Sequence, residues 1–178
     1  MQEQNVIKIL QSKLNFNDAS ISKLKLLAKS LIDSNKRYNL ISKKTEIDIW
    51  HRHILDSAQL VKFIDFRKGS LADLGTGAGF PGLVLAIFND NKAFHVKLYE
   101  KSPVKREFLN KAINDLDINA NVFDNIYYED LNSEYLVSRA IKKLDLLIQV
   151  SREIAKKPHK LIVLKGQNAQ EELNKALK

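Results

Sequence analysis

Apolar side chains recur at helical spacing through the first third of the chain. Val6, Ile7, Leu10 and Leu14 mark one face over residues 4–14. Ile21, Leu24, Ala28, Leu31 and Ile32 mark a second over residues 18–35, behind an Asn17-Asp18 start signal. Asn35-Lys36-Arg37-Tyr38-Asn39-Leu40 then reads as a polar loop whose tyrosine and leucine tuck back into the body. A third helix is predicted from Thr45, with Asp48 three residues on as a weak capping box. Its apolar face runs through Ile49, Trp50, Ile54, Ala58 and Val61 to about Ile64. None of these stretches alternates with period two, so the sheet begins later.

From residue 70 the pattern changes to short apolar runs separated by helical ones. Strands are predicted over Ser70 to Leu74, His95 to Tyr99, Asn119 to Asp124, Tyr135 to Ser138 and Lys160 to Lys165. Helices are predicted over Gly82 to Phe88, Pro103 to Asp115 and Ile141 to Ala155, with Pro158 marking the end of the last crossover. Five strands with intervening helices indicate an α/β fold with a doubly wound, mainly parallel sheet, which binds ligands outside the carboxyl ends of its strands. A final helical pattern, Ala169 to Leu177, is left to cover one sheet edge. Residues 1–66 are expected to form a helical extension packed on a core of residues 67–178, one structural unit overall.

Composition narrows the chemistry. The 178 residues are 44% hydrophobic and include no cysteine. One domain with a proper core is expected, while disulfides, thiolate metal sites and thiol nucleophiles are excluded. No apolar run approaches the roughly 18 residues of a membrane span, and Met1-Gln2-Glu3-Gln4 does not open a targeting signal. A soluble, cytoplasmic, monomeric protein without a metal is expected. The net charge of +8 is unevenly distributed. Residues 1–62 carry 11 Lys and Arg against 6 Asp and Glu, residues 63–139 carry 9 against 11, and residues 140–178 carry 9 against 4. Two basic flanks around a near-neutral middle suit a large polyanion such as RNA, although a lysine-rich solvated surface gives the same count.

Four of the six glycines fall in Asp73-Leu74-Gly75-Thr76-Gly77-Ala78-Gly79-Phe80-Pro81-Gly82, between a strand and a helix. Such a turn brings backbone close to a ligand beside the positive end of a helix. Gly77 to Gly82 matches the dinucleotide fingerprint G-x-G-x-x-G, with Glu100 downstream, so a nicotinamide oxidoreductase is one reading. Asp73 argues against it, because a carboxylate beside a pyrophosphate repels it. S-adenosylmethionine reverses that sign through its ammonium and sulfonium charges. The glycine loop then lies under its amino-acid and ribose parts, and Glu100 accepts both ribose hydroxyls. An ion pair from Glu100 to Lys101 or Lys105 is the alternative.

Without cysteine, methylation at C5 of a pyrimidine loses its usual nucleophile. The Asn/Asp-Pro-Pro-aromatic turn of exocyclic amine methylation is replaced by Ser138-Arg139-Ala140. A nitrogen that is already nucleophilic remains, and guanine N7 fits, since its lone pair carries no proton. Arg139 can clamp a guanine edge or a phosphate through its fork of donors, unless it pairs with Glu129 or Asp130. Arg52, His53 and Asp56 form a polar cluster on the third helix that an ordinary surface ion pair would also explain.

At these residues the chain resembles the glucose-inhibited division protein B family, bacterial small-subunit ribosomal RNA guanine-N7 methyltransferases. The matching pieces are Asn35 to Leu40, Arg52-His53-Ile54-Leu55-Asp56-Ser57, Asp73 to Gly82, Glu100 with Lys105 and Phe108, Ser138-Arg139-Ala140 and Leu164-Lys165-Gly166, in family order. The resemblance implies a Rossmann-like class I S-adenosylmethionine-dependent methyltransferase fold acting on a guanine in the decoding-region loop of 16S rRNA, alone or in the small subunit. It implies that the loop from Gly75 to Phe80, with Thr76, Gly77 and Gly79, and Glu100 hold the cofactor's amino-acid and ribose parts, that Tyr128 and Glu129 flank its adenine, and that Arg139 lies between cofactor and target base. Arg52, His53, Asp56, Lys105, Arg106 and Lys165 become RNA-facing candidates. Three positions depart from the pattern. Tyr127 stands where an arginine is usual, the cations after Glu100 shift to Lys105 and Arg106, and the customary last antiparallel strands are expected to be missing after Lys178. An RNA-binding module without turnover is therefore kept as an alternative.

Overall fold

A computed structural model of the chain describes residues 3–127, 131–139 and 143–176. Two helices, α1 (Glu3–Leu14) and α2 (Asp18–Asn35), come first, on the apolar faces read from their spacing. Asn17 starts α2: its backbone is extended and its side-chain oxygen accepts from Ser20 N at 2.7 Å, satisfying one of the helix's orphan donors.

Five strands follow, β1 (Ser70–Leu74), β2 (His95–Tyr99), β3 (Ala120–Phe123), β4 (Tyr135–Arg139) and β5 (Lys160–Leu164). They form one sheet in the order β3-β2-β1-β4-β5, with every pairing parallel. The connecting helices are α5 (Gly82–Phe88), α6 (Pro103–Leu116) and α7 (Leu144–Ile154), and α8 (Ala169–Ala176) follows β5. In α6, Pro103 occupies the first turn, where its missing N–H is harmless, and Asp117 closes the helix in the left-handed region at φ 46.

Side-chain alternation divides the core between the two faces of the sheet. Leu71, Val96, Leu98 and Val137 face a large cluster shared with α1, α2, α5 and α6. Ala72, Leu74, Tyr99 and Leu136 face a smaller one built with Leu147, Val150 and Ile154 of α7. Leu10, Leu24 and Leu31 of the first two helices belong to the same cluster as Leu83 and Leu85 of α5, so the N-terminal helices extend the core on that side of the sheet.

The stretch from Thr45 to Ile64 departs from the single regular helix expected there. A short helix, α3 (Lys43–Glu46), begins at the N-cap Ser42, whose hydroxyl accepts from Thr45 N. A π-helical turn, Trp50–Leu55, leads through α4 (Asp56–Ala58) into a 3-10 turn, Gln59–Phe63. The apolar face is still the one expected, since Ile49, Trp50, Ile54, Ala58 and Val61 are buried. Winding changes which polar groups meet the sheet: His53 turns inward and the Arg52 carbonyl receives a bond from β4. Tyr38 also departs from expectation. Leu40 is buried, whereas Tyr38 is 42% exposed, because Asn35 Oδ1 accepts from Leu40 N and Ile41 N and turns the chain inward only after the tyrosine. Among the described residues no helix is long and apolar enough to cross a membrane.

Candidate active site

Strand order reverses between β1 and β4, with β2 and β3 on one side of β1 and β4 and β5 on the other, which opens a crevice at the carboxyl ends of the strands. Three predicted residues reach it from three strands: Asp73 from β1, Glu100 just beyond β2, and Arg139 at the end of β4.

Asp73 is fully buried and shapes the glycine turn. Its Oδ2 accepts from Thr76 Oγ1 at 2.6 Å and from Gly82 N at 2.8 Å, tying the start of the turn to the start of α5. Its Oδ1 is buried without a hydrogen-bond partner among the described residues. Burial pushes the carboxyl up to about 6, against the opposing pull of those two bonds and of the Arg139 charge. Gly82 must be glycine because a Cβ there would collide with Leu98 and Asp73. Gly77 is different: its φ of 62 disfavours a side chain, and the space a Cβ would enter is empty.

Glu100 clamps the turn from the other side. Its Oε2 accepts from Gly77 N at 2.9 Å and its Oε1 from Ser102 N at 2.8 Å, which fixes both oxygens at the rim of a cavity of about 350 Å³. Glu100, Asp124 and Lys105 contribute polar groups to that cavity, and Ile126, Leu147 and Val150 give it an apolar wall. Asp124 and Ile126 were missed from the sequence, and Tyr127 was noted there only as a departure from the family pattern, although the rule that ligands lie beyond strand ends marks all three, just after β3. Tyr128 and Glu129 lie outside the described residues.

Arg139 lies on the other side of the turn. Its Nη2 is 2.9 Å from His53 Nδ1, its Nη1 donates to the Arg52 carbonyl at 3.2 Å, and its guanidinium carbon stands 5.5 Å from the centre of the Phe80 ring. The His53 ring also packs on Phe80, 4.9 Å between centres. Burial and the Arg139 charge pull His53 down to about 4. Burial lowers Arg139 as well, while Asp73 and Asp56 support its charge. The Arg52, His53 and Asp56 cluster is thus brought to Arg139 by the π turn. The remaining RNA-facing candidates differ in their engagement. Lys105 lines the cavity, Arg106 Nη1 donates to the carbonyls of Glu100 and Lys101, and Lys165 Nζ sits 2.8 Å from Glu172.

Together the parallel sheet, the glycine turn at its switch point and the acid after β2 define a Rossmann-like methyltransferase of class I. The solved structure of a protein-L-isoaspartate O-methyltransferase superposes on 91% of the chain and 55% of its own length, with a TM-score of 0.60 at 14% identity. That of coclaurine N-methyltransferase bound to N-methylheliamine and SAH covers 91% and 63%, with a TM-score of 0.51 at 15% identity. Within this class the family is specific. The family described as rRNA small subunit methyltransferase G matches residues 20–178. The ribosomal RNA small subunit methyltransferase G of Pelagibacter ubique is 35% identical over 158 residues, spanning 85% of this chain and 74% of the relative. The chain belongs to this family of rRNA methyltransferases. The residues present fit its methyl donor, S-adenosylmethionine: an orphaned buried carboxylate oxygen, open space at Gly77, a fixed carboxylate and an apolar-walled cavity.

Proposed function

We propose that the protein methylates N7 of a guanine in the decoding-region loop of 16S rRNA, using S-adenosylmethionine, as a cytoplasmic monomer. The observation that supports this acceptor most directly is Arg139, a group with donors only, held at the end of β4 beside the glycine turn. Such a group orients a base or phosphate but removes no proton from it. When bound, the cofactor supplies a methyl group on a positively charged sulfur. The negative charge of Asp73 favours that end, Glu100 receives the ribose hydroxyls, and the wall of Ile126, Leu147 and Val150 takes the adenine; the adenine-side role of Tyr128 and Glu129 rests on the family resemblance alone. Arg139 clamps the guanine edge or a flanking phosphate so that N7 lies in line with the methyl, and placement supplies the rate. Arg52 and Lys105 meet phosphates, while Arg106 and Lys165 reach RNA only by exchanging the partners they now hold.

The pH dependence of the chemical step tests the acceptor. N7 carries no proton, so the single-turnover rate on unmodified 16S rRNA or small subunits is expected to be flat from about pH 7 to 9. A rate rising tenfold per pH unit would point to an amine or hydroxyl acceptor and a general base.

A further inference from the structure

His53 is 94% out of contact with solvent, yet it is polar, and the cavity at Glu100 does not use it. Its surroundings are specific. A guanidinium has donors only, so the 2.9 Å contact with Arg139 Nη2 makes His53 Nδ1 an acceptor and leaves the ring's proton on Nε2. Nε2 is buried with no partner among the described residues, so the contact at Nδ1 is held at a cost in stability. The opposite face of the assembly is Phe80, which packs against both the imidazole and the guanidinium. Ser57 Oγ donates to the His53 carbonyl at 2.6 Å and anchors the backbone beneath. The Arg52 carbonyl takes the second terminal nitrogen of Arg139.

We propose that His53 is a positioning residue, acting through Arg139: its Nδ1, with the Arg52 carbonyl, fixes the guanidinium plane over Phe80 in the orientation that receives the target nucleotide. This rests on the reading of Arg139 as the substrate clamp. It gives the π turn a purpose, because that winding brings one ring nitrogen and one carbonyl to the two terminal nitrogens of a single arginine on β4. It also separates His53 from direct RNA contact, since a ring this buried acts on RNA only through its neighbour. A neutral ring is required, and burial beside Arg139 keeps it neutral.

Three variants test the proposal. Asparagine places an amide oxygen near the position of Nδ1, glutamine places its polar end near Nε2, and leucine keeps volume without an acceptor. His53→Asn is expected to hold turnover within about threefold of wild type, while His53→Gln and His53→Leu lose at least about tenfold in kcat. S-adenosylmethionine affinity is expected to stay within about twofold in all three. Nitrogen-detected NMR of the Arg139 guanidinium gives a readout independent of activity: rotation about its Cζ–Nε bond should be slow in wild type and His53→Asn and fast in His53→Gln. If His53→Leu does not fold, the Asn and Gln pair still decides. Equal turnover or equal guanidinium rotation in those two overturns the positioning role. A wild-type protein that restrains Arg139 but transfers no methyl to rRNA overturns the proposed function and leaves the restraint itself demonstrated.

Discussion

Asp73 combines full burial with a carboxylate oxygen that has no partner among the described residues, and its charge is therefore conditional. Its pKa rises from 3.8 to about 6 on folding, so the folded protein holds a proton there that the unfolded chain has released. The stability gained from that proton is complete below about pH 4 and is lost as pH rises through about 6, roughly 3 kcal/mol in all. Other carboxyl groups titrate over the same range, so the measurement is the difference from Asp73→Asn. The variant should gain on wild type in chemical denaturation between pH 4 and 7, and a constant difference would refute it. A bound cation reverses the preference. S-adenosylmethionine binding should tighten as pH rises toward 7 and release a proton near pH 6, which calorimetry in buffers of different ionisation enthalpy detects. At Arg139 the expected imbalance is between activity and stability. Arg139→Ala should lose roughly 10²-fold in turnover against about 1–2 kcal/mol of unfolding free energy. A turnover loss no larger than the unfolded fraction explains would make the residue structural.

The glycine turn shows how one element uses glycine for two different reasons. A Cβ at position 82 has no room, whereas one at position 77 meets open space but sits at positive φ. Gly82→Ala is expected to cost about 1–3 kcal/mol of stability through overpacking. Gly77→Ala should cost about 1 kcal/mol of strain, yet weaken cofactor binding more than Gly82→Ala does relative to its stability loss. Thermal melts with and without S-adenosylmethionine separate the two, and identical behaviour would mean that Gly77 does not face the ligand. The strands were readable from the sequence to within a residue because buried parallel strands are short apolar runs bounded by turns, while the last crossover helix, expected from Ile141, begins at Leu144. The π turn was not. Its apolar positions fit ordinary helical spacing well enough to hide the change of winding, and only the contact with β4 reveals it. Tyr38 was misplaced for a related reason: a loop's apolar residues carry no period, and Asn35 decides locally which of them turns in.

In the whole molecule the N-terminal helices and the sheet share one hydrophobic cluster. Deleting residues 1–66 should therefore leave residues 67–178 unable to fold cooperatively, and a sharp melting transition in that fragment would contradict the shared core. The basic flanks predict RNA affinity that falls steeply with salt, with a slope near one per phosphate contact. Asp73, Glu100 and Arg139 were legible together because each stands at the carboxyl end of a strand, where a parallel sheet gathers its ligands. The pairing of His53 with Arg139 was not, since 86 residues separate them and nothing local links a histidine on one helix to an arginine on one strand. The most direct test of the central claim is transfer of labelled methyl from S-adenosylmethionine to 16S rRNA lacking the modification, followed by nucleoside analysis. The label should appear as 7-methylguanosine from the decoding-region loop; label in another nucleoside, or binding of both partners without transfer, would contradict it.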